Sequence, residues 1–190
     1  RRVLRQKAEL GLLEAGARVR LEATAVAEAL AVAAVRHPEQ ARPRAVIAAG
    51  PDSRMLRAVL EPWCPVPFVA WPGPGLPGWA GSLDLVVMLA PEGSDAGSAS
   101  AVAEAVRRGS RVVVACPERS LVAEHAAGRD SVVLPSTTGD QLATAVVVLA
   151  HLHAVGLGPP ADPDEVAGAL DQVAIDCSPH RDLASNPAKE

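Results

Sequence analysis

Five short apolar runs recur along this chain, each trailed by a connecting or helix-like stretch, and that alternation restricts the available folds more than any other feature. The runs are Ala45 to Ala49, Val66 to Ala70, Leu83 to Ala90, Arg111 to Cys116 and Ser131 to Leu134. They are near-continuous Val, Leu, Ile and Ala instead of alternating apolar and polar residues, the pattern of strands covered on both faces. Helical segments are expected at about Ser53 to Leu60, Gly97 to Arg108, Ser120 to Ala127 and Gly139 to Val155. Strand-helix repetition with right-handed crossovers predicts a doubly wound, five-stranded parallel sheet inside a three-layer αβα sandwich.

The flanks read differently. Residues 1–40 predict an N-terminal helical arm: Arg1 to about Val35 is rich in Ala, Leu, Glu and Arg and free of proline, so it forms one or two helices broken near Gly11 or Gly16. Residues 41–160 hold the strand-helix series. In residues 161–190, Asp162 is a cap, Pro163 occupies the first helical position and Asp164 and Glu165 lie in the first turn, so a last helix runs to about Val173.

Composition narrows the function classes. The 190 residues suit one domain with an extra arm, and 49% hydrophobic content with only 2% aromatics implies a core of small aliphatic side chains. A net charge of -4, with scattered basic residues and almost no stacking aromatics, argues against nucleic-acid binding. Cys64, Cys116 and Cys177 are widely spaced without a C-x-x-C pair, so they read as reduced thiols, not as a disulfide framework or zinc site. The apolar stretch Leu142 to Leu157 contains His151 and His153 and falls short of the roughly 18 apolar residues of a membrane span. No segment resembles a signal peptide, and the expectation is a cytoplasmic protein off the membrane.

Several motifs invite chemistry and are better explained by structure. "GPGLPG", Gly73 to Gly78, matches a dinucleotide-binding fingerprint by letter, but Pro74 and Pro77 remove amide donors and the following segment leads into a strand. His151 and His153, two apart on a helix, face different ways and do not form a metal pair. Arg107, Arg108 and Gly109 read as a helix C-terminus. "PERSLVAEH" and "LPSTTGDQ" lack the strained elbow of a serine hydrolase. In "STTGD", Ser136 and Thr137 either cap a helix or meet a ligand at the carboxyl edge of the sheet. "MLAPEGSDAGSA", Met88 to Ala99, follows a strand and opens a helix, the shape of a phosphate cradle, yet it places Glu92 and Asp95 in the loop itself.

Taken in order, "AVIAAGPDSRMLRAVL", "VPFVAWPGPGLPGWAGSLDLVVMLA", "AVAEAVRRGSRVVVAC" and "LPSTTGDQLATAVVVLAHLHAVGL" resemble sugar isomerase (SIS) domains, in particular the first half of bifunctional phosphoglucose/phosphomannose isomerases. "NPAK", Asn186 to Lys189, resembles the start of a second SIS domain, so residues 161–190 would include that junction. The resemblance implies a sugar or sugar-phosphate ligand, no cofactor and no metal, and a second SIS domain or a second copy as partner. It places the ligand at Gly50, Asp52, Ser53, Glu92, Gly93, Ser94, Asp95 and Ser98, with Ser136 and Thr137 as further contacts. In the family the loop after the third strand is rich in Ser and Thr and holds the phosphate. Here Glu92 and Asp95 align with a Ser and a Thr, and Pro51 and Asp52 with a Gly-Ser pair. A phosphate charge about 4 Å from one carboxylate is repelled by roughly 4 kcal/mol at an effective dielectric near 20. The resemblance therefore comes with a degenerate phosphate loop. The Glu base and His of aldose-ketose isomerisation lie, in the family, beyond the N-P-A-K junction, and no catalytic residue is assigned in this chain. Two readings remain open: an isomerase half that needs a second domain, and a catalytically silent binding or dimerisation module.

Overall fold

Strand order β2-β1-β3-β4-β5, all parallel, organises the molecule. The strands are β1 (Val46–Ala49), β2 (Phe68–Trp71), β3 (Leu85–Leu89), β4 (Arg111–Cys116) and β5 (Ser131–Pro135). The computed structural model describes residues 11–36, 41–178 and 180–187. Residues 1–10 of the expected arm, residues 37–40, and Ala188 and Lys189 of "NPAK" lie outside the described residues.

The helices are α1 (Ala15–Arg36), α2 (Ser53–Leu60), α3 (Ala96–Arg107), α4 (Leu121–His125), α5 (Gln141–Ala154) and α6 (Pro163–Asp176), with a 3-10 turn at Leu183–Ser185. The three central strands β1, β3 and β4 are buried almost throughout, which is why their sequences show no alternation. Alternate residues then serve opposite cores. Val46, Ala48, Leu85, Val87, Val113 and Leu134 pack against Val26 of α1, Leu56 and Leu60 of α2 and Val148 and Leu152 of α5. Ile47, Val86, Met88, Val112 and Val114 pack against Ala99, Val102 and Ala105 of α3 and Val122 of α4. The result is the expected αβα sandwich with a helical arm.

Three local details refine the sequence reading. Gly11 to Leu13 are helical and the interruption falls at Glu14, between the two glycines proposed as breakers. Gly16 itself is inside α1, where it permits contact with α6: a Cβ there would lie 2.1 Å from Asp171 Oδ1 and 2.7 Å from the Ala167 carbonyl. β2 begins two residues later than the apolar run, because Pro67 lacks an N–H and contributes only its carbonyl, which accepts from Val46 N at 2.9 Å. The last helix continues three residues past Val173, to Asp176, with its Asp162 cap in place. Val19 of α1, Ala143 and Val146 of α5 and Ala167 of α6 form a separate small core, so the terminal helix is packed onto the arm and α5.

Candidate functional site at the carboxyl edge of the sheet

In a sheet ordered 2-1-3-4-5 the chain reverses its direction of winding between β1 and β3, and the loops leaving those two strands diverge to open a crevice. Gly50 leaves β1 with φ +91, a conformation natural to glycine. A Cβ at Gly50 would lie 3.9 Å from Met88 Cε and 4.0 Å from Ser98 Oγ, so the β1 loop and the start of α3 face each other closely. A cleft of about 180 Å³ lies here, lined by Gly50, Pro51, Met88, Asp95, Gly97 and Ser98, with Pro72, Gly73 and Pro74 from the connection after β2. Part of the "GPGLPG" stretch thus borders the cleft, while Leu76 is buried in the core and the segment continues into β3, not a helix.

Asp95 dominates the electrostatics. It is the N-cap of α3, and its Oδ2 accepts a 2.6 Å hydrogen bond from Ser98 N. The Ser98 N–H, its hydroxyl and the Gly97 N–H together hold the Asp95 carboxyl below the usual carboxylate range. A helix N-terminus of this kind is ready for an anion, and this one carries an anion of its own. Glu92 and Ser94 are exposed on the same loop.

Gly93 has a different role from the one its place in the loop implies. It is buried at φ +67, its N–H donates to Ala90 O, and its carbonyl accepts from Val122 N at 3.2 Å. A Cβ there would lie 2.4 Å from Ser120 Cβ and 2.9 Å from Pro117 Cδ. The glycine lets the β3 loop lie flat on the loop after β4.

On the β1 side, Ser53 opens α2. Its N–H donates to Gly50 O at 3.1 Å, while its hydroxyl is fully buried and has no hydrogen-bond partner among the described residues. An unpaired buried hydroxyl is costly, and this one has a donor and acceptor that no described residue engages. Asp52 beside it accepts from Gln141 Nε2. Burial raises the Asp52 carboxyl above its ordinary value, against the opposing pull of the Gln141 amide.

Ser136 and Thr137 are already engaged. Together with Thr138 they surround the carboxylate of Glu22, a residue of α1 that is 0% exposed. Nothing in the sequence singled out Glu22, one acid among several in an Ala-rich helix. Only its burial and partners reveal it. The structure therefore gathers Gly50, Asp95 and Ser98 around one cleft with Asp52 and Ser53 in the adjoining turn. Glu92 and Ser94 are left at the surface, Gly93 against the β4 loop, and Ser136 and Thr137 on Glu22. Asp140, not the hydroxyls before it, caps α5. Among the described residues no group of three or more His, Cys, Asp or Glu is placed to hold a metal ion, and no helix is long and apolar enough to cross a membrane.

No protein-family profile matches the chain, and no curated protein is detectably similar in sequence. Solved structures do match in shape. A provisionally assigned phosphosugar isomerase from Silicibacter pomeroyi aligns with TM-score 0.62 and 17% identity, over 90% of this chain and 57% of that one. Tagatose-6-phosphate ketose/aldose isomerase from Escherichia coli aligns with TM-score 0.58 and 13% identity, over 84% of this chain and 50% of the enzyme. The sugar isomerase domain of an RpiR transcription factor from Sphaerobacter thermophilus aligns with TM-score 0.53 and 14% identity, over 90% and 95% of the two chains. This chain thus spans about half the length of the two isomerases and nearly all of the regulator's domain. Strand order, the divergent loops after β1 and β3, and these alignments together establish that the chain has the sugar isomerase (SIS) domain fold.

Proposed function

We propose that this chain is a carbohydrate-derivative binding domain whose ligand enters the cleft between the loops after β1 and β3. The observation that carries this reading is the fully buried, partnerless hydroxyl of Ser53 at the switch point of the sheet. Gly50, Asp95 and Ser98 form the inner contacts, Asp52 and Ser53 stand behind them in the adjoining turn, and Glu92 and Ser94 reach a ligand only at the outer rim. Gly93 shapes the loop. Ser136 and Thr137 become available only by exchanging their present partner.

Asp95 sets the chemistry that the cleft prefers. Its carboxylate accepts hydrogen bonds, so it favours sugar hydroxyls over a phosphate dianion at the start of α3. The domain is a sugar-recognition unit with a degenerate phosphate loop, related in its sequence pattern to the first half of phosphoglucose/phosphomannose isomerases. Aldose-ketose turnover would require a base and an acid from a second SIS domain or a second copy.

Calorimetric titration with glucose, glucose 6-phosphate and fructose 6-phosphate tests this on the wild type and on Asp95→Thr, which keeps a capping hydroxyl and removes the charge. The variant should gain at least about tenfold in affinity for the phosphorylated sugars, within the roughly thousandfold that a 4 kcal/mol repulsion allows. If no sugar or sugar phosphate binds either protein, the carbohydrate reading fails. If wild type and variant bind phosphosugars equally, Asp95 does not set the preference.

A further inference from the structure

Glu22 is fully buried, and among the described residues no cationic side chain pairs with it. Its carboxylate is held only by neutral donors from one turn after β5. Oε1 accepts from Ser136 Oγ at 3.0 Å, Thr137 N at 3.0 Å, Thr138 N at 2.9 Å and Thr138 Oγ1 at 2.6 Å. Oε2 accepts from Thr137 N at 3.0 Å and Thr137 Oγ1 at 3.4 Å. Two consecutive backbone N–H groups and three hydroxyls converging on one carboxylate make an anion nest. The donors come from residues 114 to 116 positions away in sequence, so the nest and its occupant belong to different parts of the fold. It also lies at the carboxyl end of a parallel strand, the edge from which open α/β sheets bind ligands.

We infer that the Ser136–Thr138 turn is an oxyanion seat occupied by the chain's own Glu22, and that a small carboxylate or phosphate takes this seat only when Glu22 is withdrawn. The arm helix is then a built-in competitor: an oxyanion ligand that reaches Ser136 and Thr137 displaces Glu22 from them. Asp140 lies within 3.3 Å of Arg18 Nε on the arm, and Gln141 bonds Asp52 beside the cleft. The inference does not depend on what binds in the cleft, because the seat is built from different residues.

The test is anion rescue of Glu22→Ala. Thermal unfolding is followed against sodium acetate and against sodium phosphate, with sodium chloride holding ionic strength constant. The expected result is a saturable rise in Tm of several degrees for the variant in acetate or phosphate, and none for the wild type. Adding Thr138→Val should weaken the apparent anion affinity by roughly tenfold, the scale of one hydrogen bond to a charged group. The inference is overturned if the variant shows no anion-dependent rise, if the wild type rises equally, or if Thr138→Val leaves the response unchanged. Should Glu22→Ala not fold in chloride, refolding yield becomes the readout. Recovery in acetate or phosphate beyond that in chloride supports the seat, and equal yields overturn it.

Discussion

The carboxylate of Asp95 accepts a 2.6 Å hydrogen bond from the backbone N–H of Ser98, so the first turn of α3 is closed by the chain itself. Ordinary N-caps contribute about 1 kcal/mol, and Asp95→Ala should cost about that much, read as a lower urea midpoint at constant slope. The capped carboxyl is held below its ordinary value of 3.8. Its charge-dependent stabilisation is therefore complete above that value and lost as pH falls through the folded-state pKa. Asp95→Asn keeps a capping side chain without a titrating group. Its stability should lie below the wild type near pH 7 and approach it toward about pH 3, with a shallower loss on acidification.

Arg44 and Asp84 form a bidentate pair, with Nε to Oδ1 at 2.9 Å and Nη2 to Oδ2 at 2.6 Å. Asp84 is fully buried and also accepts from Gly81 N, whereas Arg44 is half exposed and its guanidinium lies 5.7 Å from the Trp79 ring centroid. Removing the arginine strands a buried carboxylate, a costlier defect than losing an exposed pair. Arg44→Ala should lower Tm by several degrees. Arg44→Ala with Asp84→Asn should recover part of it, and a strictly additive double variant would contradict the pairing.

Two glycines in helices should respond oppositely to alanine. At Gly16 the added methyl meets the backbone carbonyl of Ala167, which cannot swing aside as the Asp171 side chain can. Overpacking of this kind costs about 1 to 3 kcal/mol and outweighs the roughly 1 kcal/mol that alanine gains in helix propensity. At Gly168 of α6 nothing lies within 4 Å of the same atom. Gly168→Ala should stabilise by up to about 1 kcal/mol, and chemical denaturation of both variants checks the pair.

His151 is 9% exposed, and burial lowers its imidazole below the ordinary 6.5. In the window between the folded value and 6.5 the unfolded chain binds more protons than the folded one. Stability therefore rises with pH across that window and falls as the solution is acidified below about 6.5. His151→Leu should flatten this part of the profile, measured as the denaturation midpoint from about pH 5 to 7. An unchanged slope would assign the effect to other groups.

Legibility differed from one element to the next for physical reasons. β4 was read to the residue, Arg111 to Cys116, because Val112 to Cys116 are buried on both faces and form an unbroken apolar run after the half-buried Arg111. The half-buried edge strand β2 was read two residues early at its start, because Val66 and Pro67 continue its apolar run although Pro67 has no N–H to give the ladder. The site divided in the same way. The carboxylates of the β3 loop were visible as letters, and Asp95 could be recognised as a charge where a hydroxyl was expected. That it caps α3, while Glu92 is left at the surface, depended on local backbone geometry.

By itself the sequence determined the layered parallel fold, the Asp162 cap and the acidic character of the loop after β3, since periodicity, cap preference and charge are local properties of the chain. Tertiary structure alone decided that Gly16 is a contact between helices, that Gly93 serves the β4 loop, and that Glu22 occupies the turn at Ser136 to Thr138. Each of these joins segments far apart along the chain. Which distant donor or backbone atom meets a given side chain is fixed only when the arm, the sheet and the terminal helix have packed together.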